Sequence, residues 1–143
     1  MKYILISLMI SISCHVFSQK DFSTLVSSND STYGYSNMNP LKMKKGDQQK
    51  SIEYSIKFLK GLRTLDNYKL NYKMRYSVAD PKYNRSSAHL TNRFTGMPLN
   101  GKLGLLDEYI FLISEKMDTI RIYVDIYNKG DLYIPKGLKY IDN

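Results

Sequence analysis

The sequence is short of the residues on which most enzymes build their chemistry. It holds one cysteine, Cys14, two histidines, His15 and His89, and no tryptophan. One cysteine excludes an internal disulfide framework. A structural zinc takes three or four Cys, His or carboxylate ligands, and this chain has too few soft ligands to supply them. An acyl-transfer site needs a base beside a serine or cysteine. Past the first 18 residues only His89 offers one, with Ser86 and Ser87 nearby. Sequence neighbours rarely assemble such a triad, and a histidine in a polar loop is ordinarily surface. Gly96, Gly101 and Gly104 lack the strand–loop–helix setting of a phosphate loop. No catalytic residue, cofactor or metal is therefore assigned.

Long apolar runs are also missing. The longest, Ile4 to Ile12, is broken by serines and is too short to span a bilayer comfortably. It follows Lys2 and precedes Val16-Phe17-Ser18, with small residues three and one before a cut, which is the pattern of a signal peptide over 1–18. Cleavage before Gln19 would remove Cys14 and His15 and lower the formal net charge of +8 by one. The alternatives are a lipoprotein anchored through Cys14, against which stands Ser11 in place of a large aliphatic residue, and, less favoured, an uncleaved anchor. The expected location is periplasmic or secreted, with no transmembrane span in the mature chain.

Residues 19–31 are polar and serine-rich and read as a flexible leader. The rest, 32–143, reads as a single α+β domain. Leu41-Lys42-Met43 is a short strand. Asp47 to Lys60 is a helix: Ile52, Ile56 and Leu59 make an apolar stripe flanked by Phe58. Asp47 caps its start and Gly61 suits a left-handed stop. Tyr68 to Val78 alternates, with Tyr68, Leu70, Tyr72, Met74, Tyr76 and Val78 on a buried face. Lys69, Asn71, Lys73, Arg75 and Ser77 form a solvated one. Residues 81–104 form a long loop. Leu106 to Ser114 is a central strand. Thr119 to Tyr127 alternates again and turns back through Asn128-Lys129-Gly130 into Leu132–Ile134. The expected architecture is one amphipathic helix packed on a small antiparallel sheet.

Lysine and arginine number 21 against 13 acidic residues, and tyrosines number 13. Interleaved cations and tyrosines can grip an anionic polymer. Lys73, Arg75 and Arg121 with Tyr123 and Tyr127 are the candidate binding residues, although a solvated basic face explains the same pattern. Asp107-Glu108 and the Glu115/Asp118 pair offer the two carboxylates a glycosidase needs, but a strand start and a surface turn are the preferred readings of them. Asp125 to Asp131 is spaced like a calcium loop, yet Tyr127 and Lys129 stand where oxygen ligands belong.

Three stretches carry a resemblance. They are Asp30-Ser-Thr-Tyr-Gly-Tyr35 running into Asn39-Pro40-Leu-Lys-Met43; Gly104-Leu-Leu-Asp107 followed by Glu108-Tyr109; and Ile122-Tyr-Val-Asp-Ile-Tyr127 with Gly130-Asp-Leu132 and Pro135-Lys-Gly137. Together with Phe58-Leu59 and the Val16-Phe-Ser-Gln19 junction, they resemble a family of small secreted proteins from Bacteroidetes-type bacteria. Many relatives carry the name 2-dehydro-3-deoxyphosphooctonate aldolase. That aldolase is a TIM barrel of about 250 residues, which a chain of 143 cannot build. The cysteine pair common in the relatives is absent around Leu90 to Phe94, so no thiol role carries over.

The expected function is that of an exported envelope protein, a non-catalytic binding or interaction module. Its partner would be an envelope protein, a glycan or an anionic surface. Nucleic acid is not expected, because an exported protein seldom meets it. A small hydrolase acting on an envelope polymer, or an immunity or inhibitor protein, are the alternatives.

Overall fold

The computed structural model describes residues 22–83, 104–114 and 116–142. The signal segment, Cys14, His89 with its serines, most of the 81–104 loop and Glu115 lie outside them.

The helix forms where the sequence places it, as α1 (Gln48–Gly61). The Asp47 carboxylate accepts from the Lys50 amide at 2.8 Å, satisfying one free N–H of the first turn. The buried line, however, runs one residue off the expected stripe. Ser51, Ser55, Phe58 and Leu59 are buried, while Ile56 is 38% exposed. Each buried serine hydroxyl donates to the carbonyl four residues earlier, Ser51 to Asp47 and Ser55 to Ser51, both at 2.7 Å. Their polarity is thus absorbed within the helix, and their small size admits close packing. Gly61 is not a left-handed stop. It is the last helical residue, followed by extended Leu62, and a Cβ there would overlap the Tyr140 ring.

The fold is α+β, with a mixed four-stranded sheet rather than an all-antiparallel one. The chain runs through β1 (Leu41–Lys42), α1, β2 (Leu62–Thr64), β3 (Leu70–Asp80), β4 (Gly104–Ile113), β5 (Thr119–Asp125) and β6 (Leu138–Tyr140). The sheet order is β1-β5-β4-β3, with β1 parallel to β5 and the other pairs antiparallel. β2 and β6 form a separate antiparallel pair. No hairpin returns at Asn128–Gly130. β5 is flanked by β4 and β1, and Ile134 instead bridges to Ser27. The cause is Asp125, a fully buried carboxylate. It takes an ion pair from Lys42 and accepts from the Tyr127 and Asn128 amides at 2.9 and 3.0 Å. These bonds bend the chain away from the sheet, and they occupy the carboxylate that a calcium loop would have needed.

The 19–31 leader is not loose where it is described. Phe22 is 2% exposed and sits in an aromatic cluster. Its ring centroid lies 4.9 Å from Tyr54, 5.2 Å from Phe58 and 5.2 Å from Tyr140. The Ser28 amide donates to the Ile134 carbonyl at 2.8 Å. A large aromatic residue inside a polar stretch is enough to dock the segment, since ring burial outweighs the ordering of a few polar residues. Next along the chain, the Tyr33 and Tyr35 hydroxyls donate to the Asp131 and Lys136 carbonyls at 3.3 and 2.9 Å.

Burial pushes the Tyr35 phenol up to about 12 from its usual value of 10. The unfolded chain therefore ionises first, and stability present below pH 10 declines as pH rises toward 12. With partial exposure allowed for, the loss is about 1–2 kcal/mol. A melting series followed by circular dichroism across that window is expected to fall, and to fall less in Tyr35→Phe. A flat series in the wild type would refute the assignment.

Candidate functional site

β3 alternates in sequence, but it does not bury one face. Tyr72, Met74 and Tyr76 are all exposed, and a register shift separates Tyr72↔Phe111 from Met74↔Ile110. Lys73 is the extra residue of a β-bulge. Past a bulge the side-chain parity reverses. Leu70 and Tyr72 therefore share their face with Arg75 and Ser77, not with Met74, Tyr76 and Val78.

This reversal splits the five candidate binding residues. Arg75 pairs with Tyr109, whose neighbour on β5 is Ile122, so it lies on the core-facing side. Tyr127 joins it there. Its phenol is pushed up first by burial and then by the Asp107 charge nearby. Arg121 and Tyr123 lie on the opposite side, where both donate to Glu108 Oε1, at 2.9 and 3.2 Å. The hydrogen bond that it donates to Glu108 holds the Arg121 guanidinium above its ordinary value. Lys73 is exposed on the bulge itself. A continuous Tyr/Lys face does not form. Asp107 and Glu108, consecutive on β4, point to opposite faces and do not flank one cleft.

On the core-facing side the strands and the helix leave a cavity of about 600 Å³. Its sheet wall is aromatic. Tyr109 and Phe111 are stacked 6.4 Å apart, and Tyr72 sits 6.5 and 6.3 Å from them. Leu70 continues this wall, while Ile56, Leu59 and Lys60 of α1 form the other. Ile56, partly exposed on the helix, is thereby explained: it faces the cavity rather than the packed core.

Among the described residues, Arg75 and Lys60 are the charged groups of the lining. Arg75 Nε stands 3.9 Å from Asp107 Oδ1. The Tyr109 hydroxyl lies beside Arg75, whose guanidinium it helps to hold above its ordinary value, and Asp107 Oδ2 is a buried polar atom with no partner. Tyr109 is only 4% exposed. Burial pushes the Asp107 carboxyl up against the opposing pull of Arg75, and it pushes the Tyr109 phenol up too. A buried polar group left unpaired costs about 1–3 kcal/mol, and an apolar cavity with a few polar groups in its lining is the usual form of a ligand site. Among the described residues no cluster of three or more His, Cys, Asp or Glu is placed to hold a metal ion. No described helix is long and apolar enough to cross a membrane.

Of the five candidate binding residues only Arg75 lines the cavity, and Tyr109, Phe111 and Ile56 are not among those candidates. Tyr72 was assigned to a buried face, whereas it forms the cavity's outer lip. The missing signal is the pairing of β3 with β4, which no local pattern carries. Comparison of the chain with family models, with curated proteins and with solved structures gives no match.

Proposed function

We propose that the protein is an exported, non-catalytic binding module of the cell envelope, and that the cavity between α1 and the β3–β4 face receives its ligand. One observation carries this reading: a mostly apolar cavity of about 600 Å³ lies between α1 and the β3–β4 face, walled by Tyr72, Tyr109 and Phe111 with Arg75 and Lys60 in its lining. Sites of this size and lining hold small molecules. Binding of an anionic surface through one basic tyrosine face has less support, since Arg121 is paired with Glu108 and Arg75 faces the other way. A hydrolase has less support for the same geometric reason, because among the described residues no carboxylate lines the cavity. The export part rests on the 1–18 segment and on the resemblance to small secreted Bacteroidetes-type proteins.

Two measurements test it. Mass spectrometry of the exported protein is expected to find Gln19 at the N-terminus; a diacylated Cys14 would refute the cleavage site. The neutral dye N-phenyl-1-naphthylamine is expected to bind saturably at one site, and Ile56→Trp, which fills the cavity mouth, is expected to abolish that binding. Equal dye binding by the variant, or none by the wild type, would sink the cavity reading.

A further inference from the structure

The four-stranded sheet ends on one side at β1, two residues long, and on the other at β3, which has 11. Beyond the cavity and independent of it, we infer that the outer edge of β3 takes an extended, acidic peptide segment of a partner protein as a fifth strand of this sheet.

In an antiparallel pair every second residue turns both backbone groups to its partner, and the residues between turn theirs away. Along Leu70–Asp80, β3 has β4 as its one neighbour in the sheet. Among the described residues, no backbone group of Met74–Ala79 bonds outside that pair. The register runs unbroken from Met74 to Asp80, so past the bulge the edge is regular over the length of an ordinary strand. Such a row of free donors and acceptors is what strand addition uses. Met74 and Tyr76 stand half exposed on the outer face, where the side chains of an added strand would lie against them.

Charge along the edge selects the occupant. Lys69, Lys73 and Lys82 are exposed, and none of them forms an ion pair among the described residues. Arg75 is already engaged by Asp107 and Tyr109 and is not called upon. Asp80, the carboxylate of the strand, is buried and accepts from the Lys82 amide. A second copy pairing along the same edge would bring its own lysines beside these, and like charges opposite each other in a sheet are destabilising. Edge lysines and a bulge, here at Lys73, are devices that keep sheets from joining to their own kind. A strand with glutamate or aspartate at every second position meets the same lysines with the opposite sign.

Fluorescence anisotropy with a labelled, capped peptide of alternating glutamate and valine tests this. The peptide is expected to bind one to one, about tenfold or more tighter than its lysine-for-glutamate counterpart, and more weakly as salt rises. Two adjacent prolines at its centre remove a donor from each of its edges and are expected to abolish binding. Hydrogen exchange in the complex is expected to slow at alternate amides of Met74–Ala79 and not along α1. The double variant Lys69→Glu with Lys73→Glu, both outside the cavity lining, is expected to reverse the preference between the two charged peptides. If that variant does not fold, Lys82→Glu is expected to weaken the acidic peptide several-fold. Undiminished binding of the proline peptide would leave only diffuse charge attraction and overturn strand addition. Equal binding of the lysine peptide would overturn the acidic partner. A dimer with slowed exchange at Met74–Ala79 would give the edge to a second copy, and a monomer that binds neither peptide would sink the proposal outright. The naphthylamine dye reads the cavity alone, so either reading can fail without the other.

Discussion

Replacing Asp125 by alanine is expected to destabilise the protein by about 3 kcal/mol, one of its two most damaging single changes. The fully buried carboxylate holds four groups: the Lys42 ammonium, the Tyr127 and Asn128 amides, and the Asn128 side-chain amide at 2.9 Å. Hydrogen bonds to a charged acceptor contribute about 1.5–3 kcal/mol each, but they are not additive. Lys42 keeps access to water, with a third of its side chain exposed, so its release recovers part of the loss. Asp125→Asn retains an oxygen for the two backbone amides and is expected to cost roughly half as much. Urea unfolding of both variants checks the order. If Asp125→Asn is as damaging as Asp125→Ala, the Lys42 charge rather than the turn carries the effect. A loss under about 0.5 kcal/mol for alanine, the size of an ordinary surface change, would refute the role altogether.

The second large effect is at Phe58, where alanine is expected to cost about 4 kcal/mol, within the usual range for a buried phenylalanine. Phe58 has no exposed surface. Its ring is stacked on Tyr140 at 5.8 Å and meets the edge of Phe22 at 5.2 Å. One side chain therefore joins α1, β6 and the N-terminal segment. Its removal is expected to loosen Phe22 as well, so hydrogen exchange at the Ser28 amide should speed up more than exchange along β4 and β5. Phe58→Leu should recover most of the stability. Equal acceleration throughout the molecule would show a global effect only, and a cost below about 1 kcal/mol would contradict the packing described.

What the sequence made legible follows from the range over which each cause acts. α1 and its Asp47 cap are local, and both were readable. The register of its buried face was not, because Ser51 and Ser55 lose their polarity to their own helix, which a hydrophobic period cannot register. Strands β3, β4 and β5 were visible as alternating or apolar runs. The bulge at Lys73 was not, since it is defined only against β4. That one residue moved Arg75 away from Arg121 and Tyr123 and put it in the lining of the cavity. The docking of Phe22, the parallel pairing of β1 and the separate β2–β6 pair all join residues distant in sequence. They depend on which surfaces remain uncovered once the sheet has formed.

Beyond the packing of Phe22 on α1, much of what holds residues 22–43 in place comes from residues 123–140. Phe22 meets Tyr140, Ser28 bonds Ile134, Tyr33 and Tyr35 reach Asp131 and Lys136, the Gly34 carbonyl accepts from Tyr123, and Leu41 lies beside Val124. The order of events during synthesis follows from this. The first part of the domain to be made has to wait for the last, and closing so long a loop delays the final step. A ribosome-bound fragment lacking residues 123–140 leaves that segment without those partners. The chain accordingly stays open while it is being made, which is the condition a threaded translocation channel demands of its cargo if the export proposed above is its route.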